Sequence, residues 1–155
     1  MVHFSVNAGG QGEIMWQKAR FMLWDGDDMI SNAIRIWRPG ILANEKAYES
    51  ALFDHLQIQL DELSFSRQFA IGNAIADIAV ERELLIEIKN KLDSKSKYDR
   101  LVGQLIEYEG CDKPLIVVIC GDSHNQYIEG IRKALDRLSI ATELVYLPRE
   151  IGRAH

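Results

Sequence analysis

Cysteine is scarce in this chain. Of 155 residues only Cys111 and Cys120 carry thiols, and they lack the paired spacing of a zinc site. A disulfide-stapled scaffold is therefore not expected, and the two thiols read as buried and reduced. The histidines, His3, His55, His124 and His155, are scattered and form no ligand spacing either. No uninterrupted apolar run approaches the roughly 18 residues that a membrane span requires. Met1-Val2-His3-Phe4 also lacks the basic and apolar regions of a secretory signal. These absences predict a cytoplasmic protein with no membrane partner. Repeats, low-complexity tracts and linker-like segments are missing as well.

With 47% hydrophobic residues, the chain can bury the core of one globular domain. Its net charge of −5 argues against a protein that coats nucleic acid indiscriminately. A local basic run remains, because Lys89, Lys91, Lys95, Lys97 and Arg100 crowd together with only Asp93 and Asp99 among them. Such a run is commonly a solvated face.

The first forty residues are the least legible. Ala8-Gly9-Gly10-Gln11-Gly12 reads as a turn, since no Lys-Ser/Thr ending or strand-to-helix context makes it a phosphate loop. From Glu13 to Trp24 apolar residues fall on one helical face, and residues 1–42 together read as a flank that covers a core edge or joins a dimer. The main domain is expected over 43–148, with 149–155 as a tail. Asn44 can cap a helix running to about Leu60, and Phe65 to Gly72, Ile75 to Glu81 and Leu84 to Lys91 read as strands. Tyr98, Leu101, Val102, Leu105 and Ile106 carry a helical period, and Leu115 to Cys120 is apolar throughout, as in a strand buried on both faces. Gly121-Asp122-Ser123 reads as a strand end and cap for a helix through Ile128, Ile131 and Leu135, and Thr142 to Leu147 as the last strand. A serine-hydrolase role for Ser123 and His124 finds no Asp-x-x-His partner downstream.

The chemistry-bearing residues lie in the middle of this order. In an extended strand Glu87 and Lys89 share one face while Ile86 and Ile88 share the other, and Asp77 falls in the neighbouring predicted strand. Two carboxylates beside an ammonium suit metal-assisted phosphodiester cleavage. The competing reading is a charge pair on a solvated sheet face.

In this context the chain resembles the PD-(D/E)xK nuclease superfamily, which includes restriction endonucleases, Holliday-junction resolvases and RecB-type exonucleases. The resemblance spans roughly Glu45 to Leu147 and implies a restriction-endonuclease-like α/β core: a mixed central sheet flanked by helices, in the order helix, three strands, helix, strand, helix, strand. Asp77 matches the first motif acid, Glu87 and Lys89 match the second motif, and Ala76 stands where the family often has proline. Glu49 resembles the helix acid of resolvase-like members, and Gln104 and Tyr108 match the glutamine and tyrosine of RecB-type members. The resemblance implies Mg²⁺ or Mn²⁺ held by Asp77, Glu87, the Ile88 carbonyl and Glu49, with Lys89 serving the attacking water. Glu45, one turn before Glu49, is a competing helix acid. Gln104 and Tyr108 would orient the lysine or touch the substrate strand, while Lys91, Lys95, Lys97 and Arg100 would hold phosphates.

The expected activity is hydrolysis of DNA, branched or single-stranded forms included, with an endonuclease and a homodimer preferred. A catalytically silent nuclease-fold assembly protein and an RNA-cutting defence effector are the alternatives.

Overall fold

A computed structural model describes residues 29–148. Four helices and five strands follow one another along them: α1 (Met29–Arg35), α2 (Glu45–Gln59), β1 (Phe65–Ile71), β2 (Ala74–Val80), β3 (Leu84–Asn90), α3 (Lys95–Glu107), β4 (Leu115–Cys120), α4 (Asn125–Asp136) and β5 (Thr142–Leu147). The strands form one mixed sheet in sequence order, antiparallel from β1 to β3 and parallel from β3 to β5. The architecture is α/β, with helices on both faces of the sheet.

Local chemistry sets these elements. Asn44 adopts an extended conformation and its Oδ1 accepts from Ala47 N at 2.9 Å, which starts α2. Tyr48, Leu52 and Leu56 then fall on one face four residues apart and are buried. Ser94 caps α3 in the same way through Lys97 N, and Leu101 and Leu105 are its buried stripe. The wholly apolar β4 is buried at every position, which its place between β3 and β5 requires. At the β1–β2 turn Gly72 takes φ 57°, a left-handed conformation that glycine adopts without strain.

Two cores lie on opposite sides of the sheet. One joins α1 and α2 to Ile78, Val80, Leu84, Ile86, Ile88, Ile116, Val118 and Val145. The other joins α3 and α4 to Ala74, Ala76, Ala79, Leu85, Val117, Ile119 and Leu144. Ile86 and Ile88 thus share a face as the alternation predicts. Ile30, Ile34 and Trp37 are buried in the first core, so residues 29–42 are built into this fold. Within them α1 covers the edge strand β5, where Ser31 and Arg35 both engage Glu143. The predicted helix from Glu13 to Trp24 lies outside the described residues, as does the 149–155 tail.

The cap expected from Gly121-Asp122-Ser123 is a correction. The N-cap of α4 is His124, with no side-chain capping bond. The Ser123 hydroxyl is used elsewhere, accepting from Leu92 N at 2.7 Å and donating to Gly121 O at 3.1 Å, which ties the ends of β3 and β4 together.

A candidate catalytic cleft where the sheet opens

The alternation of β1 and β2 breaks once. Phe65 packs toward α2, but Phe69 and Ile71 pack toward α3; across the hairpin, Ile78 and Val80 face α2 while Ala74 and Ala76 face α3. Between these sets lie Gln68, at φ 51°, and Asp77, and neither takes part in the register that pairs Arg67 with Ile78 and Phe69 with Ala76. A non-glycine residue at such φ inside a strand is strained, and strain of this kind gathers at functional sites. Here it removes Gln68 and Asp77 from the ladder.

The β2–β3 ladder ends at the same level. Its last pair is Ile78 with Ile86, so the outward N–H groups of β3 beyond that point need other acceptors. Two carboxylates provide them: Asp77 Oδ2 accepts from Ile88 N at 2.7 Å, and Glu45 Oε2 accepts from Asn90 N at 3.3 Å. A strand residue sends its N–H and C=O to the same side, so the Ile88 carbonyl is directed into this gap as well.

Around the gap a cleft is lined by Glu45, Glu49, Gln68, Asp77, Glu87, Lys89 and Gln104. Glu87, 4% exposed, accepts from the Tyr108 hydroxyl at 2.6 Å and lies 3.4 Å from Lys89 Nζ. Lys89 also reaches Glu45 Oε1 at 3.8 Å. Glu49 is buried on α2, where Arg67 Nε donates to it at 2.9 Å and Gln68 Nε2 at 3.1 and 3.2 Å; Gln68 reaches on to Asp77 Oδ1 at 3.4 Å. Burial, then the Asp77 charge, pushes the Glu87 carboxyl up to about 7, against the pull of Tyr108 and Lys89. Burial raises Asp77 as well, opposed by its bond from Ile88 N.

The fold therefore brings Glu49, Asp77, Glu87, Lys89 and Gln104 to one cleft and adds Glu45, which is the helix acid within reach of Lys89. Tyr108 is 2% exposed, so its ring is core, and its hydroxyl donates to Glu87 and, at 3.3 Å, reaches the Ile75 carbonyl, a position from which it orients a site carboxylate. Lys95 and Lys97 pair with Asp99 and Asp93 one turn away, whereas Lys91 and Arg100 enter no ion pair among the described residues. Arg67 and Gln68 went unrecognised in the sequence, because the break in alternation that aims them at Glu49 leaves no mark in the residue pattern.

Among the described residues no three His, Cys, Asp or Glu side chains converge as a ready-made metal cage. No helix there is long and apolar enough to cross a membrane. No family model matches the chain, and no curated protein or solved structure matches it either.

Proposed function

We propose that the cleft is the active site of a Mg²⁺- or Mn²⁺-dependent nuclease with a restriction-endonuclease-like core, hydrolysing DNA phosphodiester bonds. The observation that carries this reading is the pair Asp77 and Glu87, two crowded carboxylates with raised proton affinity, set beside Lys89 where the ladder opens. Carboxylates held this way are relieved by a cation.

The donor types suit a divalent ion, which would have to draw them together, since no three of the described acids converge as they stand. Asp77 and Glu87 offer hard oxygen donors, the Ile88 carbonyl faces the same gap, and Glu45 and Glu49 stand on the facing helix turn. The buried amide oxygen of Gln104 has no hydrogen-bond partner among the described residues, so a further acceptor is left for a ligand in the cleft. When bound, the ion supplies Lewis acidity toward water and the scissile phosphate. Tyr108 fixes the orientation of Glu87 by donating to one of its oxygens. Lys89, only 12% exposed in its side chain, is held by Glu87 and Glu45 where its ammonium can take part in proton transfer or stabilise charge on the transferred phosphoryl oxygens. Gln68 links Glu49 to Asp77 and sets the spacing of helix and hairpin.

Incubation with supercoiled, nicked, single-stranded and branched DNA, with Mg²⁺, Mn²⁺ or chelator, should give metal-dependent cutting. Asp77→Ala, Glu87→Ala and Lys89→Ala should each lower it by at least about a hundredfold. Cutting that survives all three substitutions would sink the reading.

The second reading is a catalytically silent nuclease-fold assembly protein. It draws on the self-satisfied bonding of Glu49 with Arg67 and Gln68, which is what a purely structural polar network looks like. Calorimetric titration with Mn²⁺ separates the two: binding that Glu87→Ala weakens belongs to the nuclease, and no binding even with DNA present belongs to the silent protein. RNA in the substrate panel tests the defence-effector alternative.

A further inference from the structure

A second constellation lies at the end of the parallel strands, outside the cleft. The rings of Tyr98, at the start of α3, and Tyr127, at the start of α4, stack with centroids 5.1 Å apart and 23° between planes. His124 stacks on Tyr127 at 5.5 Å and 14°. Tyr98 and Tyr127 are half-buried, and His124 is exposed.

The stack is seated. A Cβ at Gly130 would lie 2.4 Å from the Tyr98 hydroxyl oxygen and 2.7 Å from its ring, so Tyr98 rests directly on the backbone of α4. Glycine inside a helix costs about 1 kcal/mol relative to alanine, and close approach of the ring accounts for it here. Held from below by Gly130, Tyr98 supports Tyr127, and Tyr127 supports the imidazole, whose outer face has no ring against it among the described residues.

The surroundings favour a nucleic acid. Lys95, paired with Asp99, shares a helix face with Tyr98, and Arg100 on the same helix is exposed with no ion pair among the described residues. His124 N donates to the carbonyl of Leu92, which follows Lys89 by three residues, so the histidine stands just past the end of β3. In a chain of net charge −5, phosphate attraction alone is a weak hold, whereas ring stacking is indifferent to net charge.

We propose that the Tyr98–Tyr127–His124 stack is a platform for an unpaired nucleobase, so that the protein takes single-stranded nucleic acid or a junction carrying an unpaired segment. The substrate assignment rests on the nuclease reading of the cleft; the platform itself does not. A duplex buries its base faces and cannot use the outer face of His124, so discrimination between single strand and duplex follows directly.

Fluorescence anisotropy in EDTA and low salt tests this without turnover. The probes are a short labelled DNA single strand, its RNA counterpart, the blunt DNA duplex, and a single strand of abasic nucleotides with the same phosphates. The intact single strand should bind about tenfold tighter than either the duplex or the abasic strand. His124→Ala should erase that advantage and leave abasic binding unchanged, and Tyr127→Leu, which keeps an apolar support under the helix, should do the same. Unequal binding of DNA and RNA would assign the source of the base. Equal affinity for intact and abasic strands, or single-strand binding untouched by both substitutions, overturns the platform. If base-dependent binding is present while no metal permits cutting, the nuclease reading fails and the platform stands; cutting without base dependence is the reverse.

Discussion

Glu87 is the residue at which, on the proposed nuclease reading, proton and cation would compete. In the unfolded chain its carboxyl titrates near 4.5, and in the fold at about 7, so the folded protein holds the proton more tightly. The stability this contributes is complete below the unfolded value and is lost as pH rises through about 7. It amounts to about 3 kcal/mol for a shift of this size. Urea unfolding in chelator should accordingly weaken from pH 5 to pH 8. Glu87→Gln should remove most of that slope, and the remainder belongs to Asp77, which burial raises in the same sense. Tyr108→Phe deletes the donor that draws the Glu87 carboxyl downward. That variant should lose about 1.5–3 kcal/mol, and the pH midpoint of its Mn²⁺ binding should move upward, as read by titration calorimetry.

At the scale of elements, α2 carries Glu45 and Glu49 on its first turns and depends on Asn44 to begin where it does. Asn44→Ala should cost about 1 kcal/mol in urea unfolding and lower activity more than an equal destabilisation at the far end of the helix, because the frayed turn holds two of the acids. The regular elements were legible from their residues. Asn44, the alternation of Leu84 to Asn90 and the apolar run Leu115 to Cys120 each named their structure, since each is governed by bonds or burial local to the segment. Asp77, Glu87 and Lys89 were legible by spacing. The seven-residue α1 was not, because its burial depends on α2 and β5, and neither were Gln68 and Arg67, whose direction follows from a left-handed residue that no side-chain pattern announces. Ser123 misled because its hydroxyl satisfies β3 and not the helix after it.

For the whole molecule, the acids of α2 and the acids of the sheet belong to different layers, and a bound cation would join them. Ligand binding to the folded state alone raises stability by about 2.7 kcal/mol at a hundredfold excess over Kd. If the nuclease reading holds, Mn²⁺ should therefore raise the melting temperature, by more at pH 8 than at pH 6, because ionised Asp77 and Glu87 are the form it would bind. Differential scanning fluorimetry checks this, and Asp77→Ala with Glu87→Ala should show no rise.

The ladder between β2 and β3 is the shortest in the sheet, ending at Ile78 and Ile86, while β4 is bonded along its length on both sides. The outer part of the β1–β2 hairpin is thus held to the rest of the fold by side-chain packing and the Tyr108–Ile75 bond, with no ladder to β3. Amide hydrogens from Phe69 to Ala76 should exchange with deuterium well before those of Ile116 to Ile119, because this end of the hairpin has a hydrogen-bonded neighbour on one side only while β4 has one on each.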